Sequence, residues 1–382
     1  VTVEFISAIN TRHADELNPR SGGRAIEPAY LRRYARSLED AGFDYTLVPY
    51  GSAGPDSFVT ATAVAAATER IKPIVAVRPN TVFPLVAAQQ LSTLDQISEG
   101  RAVVHIISGG NDREQGRQGD FLSKDERYDR SEEWIRIVRR AWTEKEPFSH
   151  DGRYYRFEDF GPGLATFRGA PVPISVGGSS DAAYRVGGAL GDIFGLWGEP
   201  LADTRDQIAR IAEQARAAGR SDLPRIWVTF RPIVAETDEL AWEKAHRIIG
   251  TIAETYANGA YHKHYSRGAD PQNVGSQRLL NAAARGEVHD RALWTRPAEV
   301  TRASGASTAL VGSYETVAAA ILDYVDLGAE LVSIRGYDNL NDAIDYGRHV
   351  LPLVRQELAH REATGHRGQI VAQPEFAEGV RA

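Results

Sequence analysis

The chain has 382 residues, 42% of them hydrophobic, a formal net charge of -7, and neither cysteine nor methionine. That length gives one large domain or two with a sizeable core. The acidic excess is spread along the chain with no basic run, which argues against nucleic acid as a partner, and the missing sulfur rules out disulfides, zinc–thiolate sites and a thiol nucleophile. No apolar run approaches a membrane span and the start lacks a basic-then-apolar leader, so the expectation is a cytoplasmic protein with no membrane partner.

Short apolar runs alternate with amphipathic segments. Val3–Ile9 reads as a first strand, and Pro28–Ala41 as a helix with proline at its start and Gly42 as its stop. Tyr45–Pro49 is a second strand, Asp56–Thr68 a helix, Pro73–Arg78 a third strand and Pro84–Ser98 the next helix. Arg101–Ile107 is a fourth strand and Glu126–Trp142 a long helix. A Gly- and aromatic-rich excursion occupies about 148–170. Then come strand Ile174–Val176, helix Asp181–Ala189, strand Asp192–Trp197, helix Leu201–Ala218 and strand Ile226–Ala235. A second excursion runs from about 238 to 307, followed by helix Tyr314–Leu327, strand Leu331–Arg335 and helix Asn341–His360. The alternation closes near residue 362, leaving 363–382 as a tail without clear period.

Strands apolar on both faces and alternating with helices imply a buried parallel sheet. Their number and the chain length fit an α/β fold of the (β/α)8 TIM-barrel type, with insertions. A doubly wound open sheet is the alternative, but the first strand-to-helix turn lacks a glycine-rich dinucleotide fingerprint. In a barrel, functional residues sit just after the strand ends. Those positions hold Asn10, Thr11 and His13; Tyr50–Asp56; Arg78–Thr81; Ser108–Asp112; Gly177–Ser180; Trp197–Glu199; Arg231; and Gly336–Tyr337.

The stretch after strand five, Gly177-Gly178-Ser179-Ser180-Asp181, stands out. Glycine lets backbone approach a ligand closely, and the free N–H groups of a helix start favour an anion. The other reading is an ordinary strand-to-helix turn with serine as N-cap. His262-Lys263-His264 has no evident third partner, so no metal site is expected.

These residues resemble a known family. Arg78-Pro79, the run Gln90–Arg101, Glu126-Arg127-Tyr128, Gly177–Asp181, Trp197-Gly198-Glu199-Pro200, Thr308–Gly312 and Gly336-Tyr337 are similar to the FMNH2-dependent alkanesulfonate monooxygenases of the bacterial-luciferase-like group, from about Phe5 to Val354. The resemblance implies a luciferase-like barrel and FMN as cofactor, used as FMNH2 and supplied by a separate NAD(P)H-dependent flavin reductase. It implies O2 as co-substrate and a small anionic organosulfur substrate, whose carbon–sulfur bond is split to sulfite and an aldehyde. It also implies a homodimer or homotetramer. Sulfur scavenging would suit a chain without cysteine or methionine; compositional drift is the competing explanation.

Carried over by position, Gly178, Ser179, Ser180 and Tyr128 would hold the flavin phosphate, and Ser108 and His105 would lie near its ring. Arg231, Tyr337 and Arg302 would face the substrate, and Trp197 would exclude water. The chain departs from the family at Gly54, where a cysteine is usual, at Thr229 and Arg231, where an arginine and a histidine are usual, and at Thr11, where a histidine is usual and His13 lies nearby. These departures lie at the substrate end. They leave open a luciferase-like monooxygenase acting on a sulfone, an amine-carboxylate or a hydrocarbon, a non-catalytic flavin carrier, and a deazaflavin enzyme.

Overall fold

The computed structural model describes residues 2–17, 22–257, 271–305 and 307–365. The tail 366–382 and His262-Lys263-His264 lie outside the described residues. Eight parallel strands form a closed barrel: β1 (Glu4–Ala8), β2 (Tyr45–Val48), β3 (Lys72–Val77), β4 (Val103–Ile106), β5 (Ile174–Gly177), β6 (Ile193–Trp197), β7 (Arg225–Phe230) and β8 (Ala329–Ile334). β1 closes the ring by pairing with both β2 and β8. The chain thus has the (β/α)8 TIM-barrel fold, and the open-sheet alternative is excluded.

Helices follow the strands: α1 (Pro28–Asp40), α2 (Ser57–Ala67), α3 (Pro84–Ile97), α4 (Lys124–Thr143), α5 (Asp181–Leu190) and α6 (Leu201–Ala217). Their ends are set by local chemistry. Prolines open α1 and α3, where a missing N–H costs nothing. Asp56 caps α2 by accepting from the Val59 N–H at 2.9 Å. Ser123 and Glu126 form a reciprocal capping box on α4.

Period-two alternation divides the barrel side chains between two cores. Phe5, Val75, Val104, Val176, Phe194, Val228 and Val332 point outward into the main core beneath the helices. Ile6, Tyr45, Ile74, Val103, Ile193, Trp227 and Leu331 point inward and fill the lower half of the barrel. One strand position higher, the inward face carries Ala8, Ala76, His105, Ser175, Gly195, Thr229 and Ser333. Large residues below and mostly small ones above leave room at the mouth. At the opposite end, Glu4 accepts from Lys72, Tyr45 and Arg225 at 2.7–3.0 Å and plugs the floor.

The sequence suggests one continuous strand over Ile226–Ala235, and the structure breaks it at Arg231-Pro232. Proline removes a ladder donor, and beyond it Ile233–Ala235 leaves the barrel. This segment pairs in parallel with Ala309–Ser313, in a second sheet that also contains Leu293–Trp294 and Val288–His289. Helices α7 (Asp238–Ala257), α8 (Val274–Arg285) and α9 (Tyr314–Val325) accompany that sheet. The stretch at 148–160 folds as an antiparallel hairpin, Phe148–Asp151 with Arg156–Phe160. The last helical region is also not one helix. Asn339–Asp345 passes through a π-helical turn, Tyr346–Val350, into α10 (Leu351–Thr364), and Pro352 near the junction cannot donate its N–H.

Candidate active site

The C-terminal ends of the strands converge on one mouth with two chemically different ends. The first follows β5. Gly178 has φ +134°, a conformation that favours glycine. A Cβ there would lie 2.4 Å from Tyr128 Oη and 2.9 Å from Ala183 Cβ. Tyr128, on α4, donates to the Gly177 carbonyl at 3.1 Å. Burial pushes its phenol up to about 12, so the hydroxyl is a permanent donor at neutral pH. Ser180 caps α5 by accepting from the Ala183 N–H at 3.3 Å. Ser179 and Ser180 are both buried. Gly178, Ser179, Ser180 and Tyr128 are therefore gathered into one cradle at a helix N-terminus. Asp181 beside it is paired with Arg210 from α6, which offsets its charge. A narrow glycine turn with neutral donors suits a phosphate group, which these residues can hold without a buried cation.

Between the two ends lies His105. Its Nδ1 is 2.9 Å from Ser175 Oγ, and its ring packs 5.2 Å from that of Trp227. A Cβ on Gly177 would lie 3.1 Å from His105 Cε1, and one on Gly195 would lie 3.6 Å away, so the two register-paired glycines make space around the imidazole. Burial pushes its pKa down to about 4, so the ring is neutral at physiological pH. Ser108, just past β4, is buried and shares a hydrogen bond of 2.9 Å with Ser131 of α4.

The second end follows β7 and β8. The Arg231 guanidinium makes two 3.0 Å bonds to the Glu16 carboxylate, in the loop joining β1 to α1. It also donates to the Gly336 carbonyl at 2.8 Å and lies 3.8 Å over the Tyr337 ring. Arg335 reaches the same Glu16 carboxylate at 3.3 Å. Burial opposes ionisation of Glu16, but attraction to Arg231 and Arg335 outweighs it and holds the carboxyl down to about 2. Repulsion from Arg231 lowers the Arg335 pKa, while burial raises that of Tyr337. Two polar groups here are buried without a hydrogen-bond partner among the described residues: Arg231 Nε and the Tyr337 hydroxyl.

Trp197 closes the side between these ends. Its ring packs on Gly275 of α8, where a Cβ would lie 2.9 Å from Trp197 Cε3, and on a cluster of Leu279, Ala298 and Ala303. It therefore joins the barrel to the second excursion. Arg302 is exposed on that excursion, in a left-handed pair with Ala303 (φ +51° and +50°). The same region is stitched to the barrel by Thr308, which donates to Gly198 O at 2.7 Å and accepts from the Arg231 N–H at 3.0 Å.

Sequence reasoning missed Glu16, whose partners are more than two hundred residues away. It missed the pairing of buried Glu199 with Arg278 of α8 at 2.6–3.0 Å. It placed Arg78 at the end of β3 but missed its pairing, buried there, with Glu114 at 2.6 Å. Among the described residues no His, Asp and Glu cluster is arranged to hold a metal, and no helix is long and apolar enough to cross a membrane.

The chain belongs to a defined class, the luciferase-like monooxygenase family, whose model matches residues 3–331. Members of this class are flavin-dependent oxygenases. Solved structures of the same fold include a riboflavin lyase, determined with a modified FMN and its substrate riboflavin (20% identity, TM-score 0.74, covering 99% of this chain and 95% of that one). They include the EDTA monooxygenase of Chelativorans sp. BNC1 (17% identity, TM-score 0.75, covering 93% and 94%). They also include a coenzyme F420-dependent tetrahydromethanopterin reductase of Methanopyrus kandleri (17% identity, TM-score 0.66, covering 92% and 99%).

Proposed function

We propose that the protein is a two-component monooxygenase that uses FMNH2, delivered by a separate NAD(P)H-dependent flavin reductase, and O2 to cleave the carbon–sulfur bond of an anionic organosulfonate. The observation that carries this reading is the division of the mouth into a neutral phosphate cradle after β5 and a cationic end after β7 and β8. The Gly178–Ser180 turn and Tyr128 would hold the FMN phosphate, and His105 would line the flavin site as a neutral imidazole. Bound reduced flavin supplies the two electrons that activate O2. In balance, sulfonate, FMNH2 and O2 give an aldehyde, sulfite, FMN, water and a proton.

The chain's own residues bind and orient. Arg335 and Arg231 attract the substrate anion, and Arg302 adds a further cation on the excursion. The Tyr337 hydroxyl, buried without a partner, donates to a substrate oxygen and stabilises charge that develops there. Trp197 keeps bulk water from the mouth. Assembly as a homodimer or homotetramer and a role in sulfur scavenging belong to the same proposal.

The test couples the protein to a flavin reductase with NADH and FMN, offers alkanesulfonates of increasing chain length, and traps sulfite with a chromogenic disulfide. The expected result is sulfite release that requires substrate, O2 and the protein. NADH oxidation with no sulfite from any sulfonate would remove the sulfonate assignment. Turnover of a sulfone or an aminopolycarboxylate instead would give the protein another place in the same family.

A further inference from the structure

Glu16 occupies the position on Arg231 that a substrate anion would be expected to take. Both terminal nitrogens of the Arg231 fork are engaged by its carboxylate, and one also serves the Gly336 carbonyl. Arg335 shares the same carboxylate, but its side chain is 38% exposed and keeps donors free for a ligand. Asp342, a further acid beside the cluster, has its own donors: it accepts from the Tyr337 and Asp338 N–H groups and from Lys244. The cluster therefore sets two guanidinium groups against one carboxylate, a net charge of about +1. The Tyr337 hydroxyl and Arg231 Nε, buried with no hydrogen-bond partner among the described residues, add donor capacity without adding charge.

We infer that Glu16 is a specificity-determining residue that sets this end of the mouth to accept a single negative charge, so that the pocket takes monoanionic head groups and rejects dianions. This deepens the substrate reading above and rests on the mouth being the substrate site. Glu16 acts by negative selection: a second charge on the ligand meets no uncompensated cation within this cluster and is repelled by the fixed carboxylate.

The test is direct calorimetric titration of the full-length chain with methanesulfonate, a monoanion, and with sulfate, a dianion of similar shape. The wild type is expected to prefer methanesulfonate by at least ~10-fold, and Glu16→Gln to raise sulfate affinity ~10-fold or more and erase that preference. A wild type that binds sulfate as tightly as methanesulfonate, or binds neither, overturns the inference. So does a Glu16→Gln variant with an unchanged ratio. Should Glu16→Gln fail to fold, Arg335→Gln decides instead. Its side chain is more exposed, it brings the cluster to about neutral, and it is expected to abolish binding of both anions; retained binding overturns the inference. The titration needs no turnover, so absence of sulfite release leaves this measurement standing on its own.

Discussion

Tyr337 offers the cleanest separation of folding from function at the scale of one residue. Its ring is buried beneath Arg231, but its hydroxyl has no hydrogen-bond partner among the described residues. Replacing it with phenylalanine removes no internal hydrogen bond, so Tyr337→Phe should change unfolding free energy by no more than about 0.5 kcal/mol. Turnover should nonetheless fall ~10-fold or more, because the lost donor acts only on the reacting substrate. Denaturant titration and steady-state kinetics on the same preparation check both halves. His105 carries a second residue-scale expectation. Its depressed pKa means that the unfolded chain binds a proton there before the folded chain does. Its contribution to stability is therefore complete above the ordinary imidazole range and declines as pH falls from there toward about 4. An imidazole NMR titration should find this ring neutral through the ordinary imidazole range, with a midpoint near 4; a midpoint within that range would contradict its burial. Glu16 behaves oppositely in sign of charge but not in direction. Its stabilisation holds above the usual carboxylate range and is lost only as pH falls toward about 2.

At the scale of elements, the important unit is the segment joining β7 to α9. The barrel strands were legible because each is a short apolar run between helical patterns, and their boundaries shift by only a residue or two. The Gly178–Ser180 turn was legible for a similar reason: the glycine and the Ser180 helix cap lie within a few residues of one another. Strand seven was misread because its apolar run continues past Pro232, and hydrophobicity alone does not register the proline's missing N–H. The Ala309–Ser313 strand coincides with the Thr308–Gly312 motif but does not read as a strand in the sequence, because its partner Ile233–Ala235 reads as part of the barrel. The same segment is held to the barrel by two interactions that can be tested. Trp197→Ala should destabilise the protein by about 2 kcal/mol, less than a fully buried tryptophan because the ring is half-buried. Glu199→Ala should cost more, about 3 kcal/mol, the low end for a broken buried pair because the stranded Arg278 side chain is partly exposed. Chemical denaturation ranks the two, and a larger loss at Trp197 would contradict the assignment of the ion pair as the stronger tether.

Over the whole molecule, function depends on contacts that sequence distance conceals. Glu16 reaches Arg231 across the barrel only because β1 lies next to β8, and β8 next to β7. No local pattern marks a glutamate in a loop as the partner of an arginine so far along the chain. The barrel closure that the alternating elements imply is what makes such a pairing available, but it does not say which of many loop carboxylates will be chosen. The two ends of the mouth consequently differ in legibility: the Gly178–Ser180 turn is a contiguous motif, whereas the charge balance of the other end exists only in the folded molecule. The central claim is that Gly178–Ser180 and Tyr128 grip the phosphate of a flavin. Its most direct test is anaerobic titration with FMNH2 and with reduced riboflavin, which differ only in that phosphate. The wild type should prefer FMNH2 by ~10-fold or more, and Ser179→Ala/Ser180→Gly, which keeps an acceptable helix cap, should lose that preference. Equal affinity of the wild type for the two flavins, or an undiminished preference in the variant, would contradict the claim.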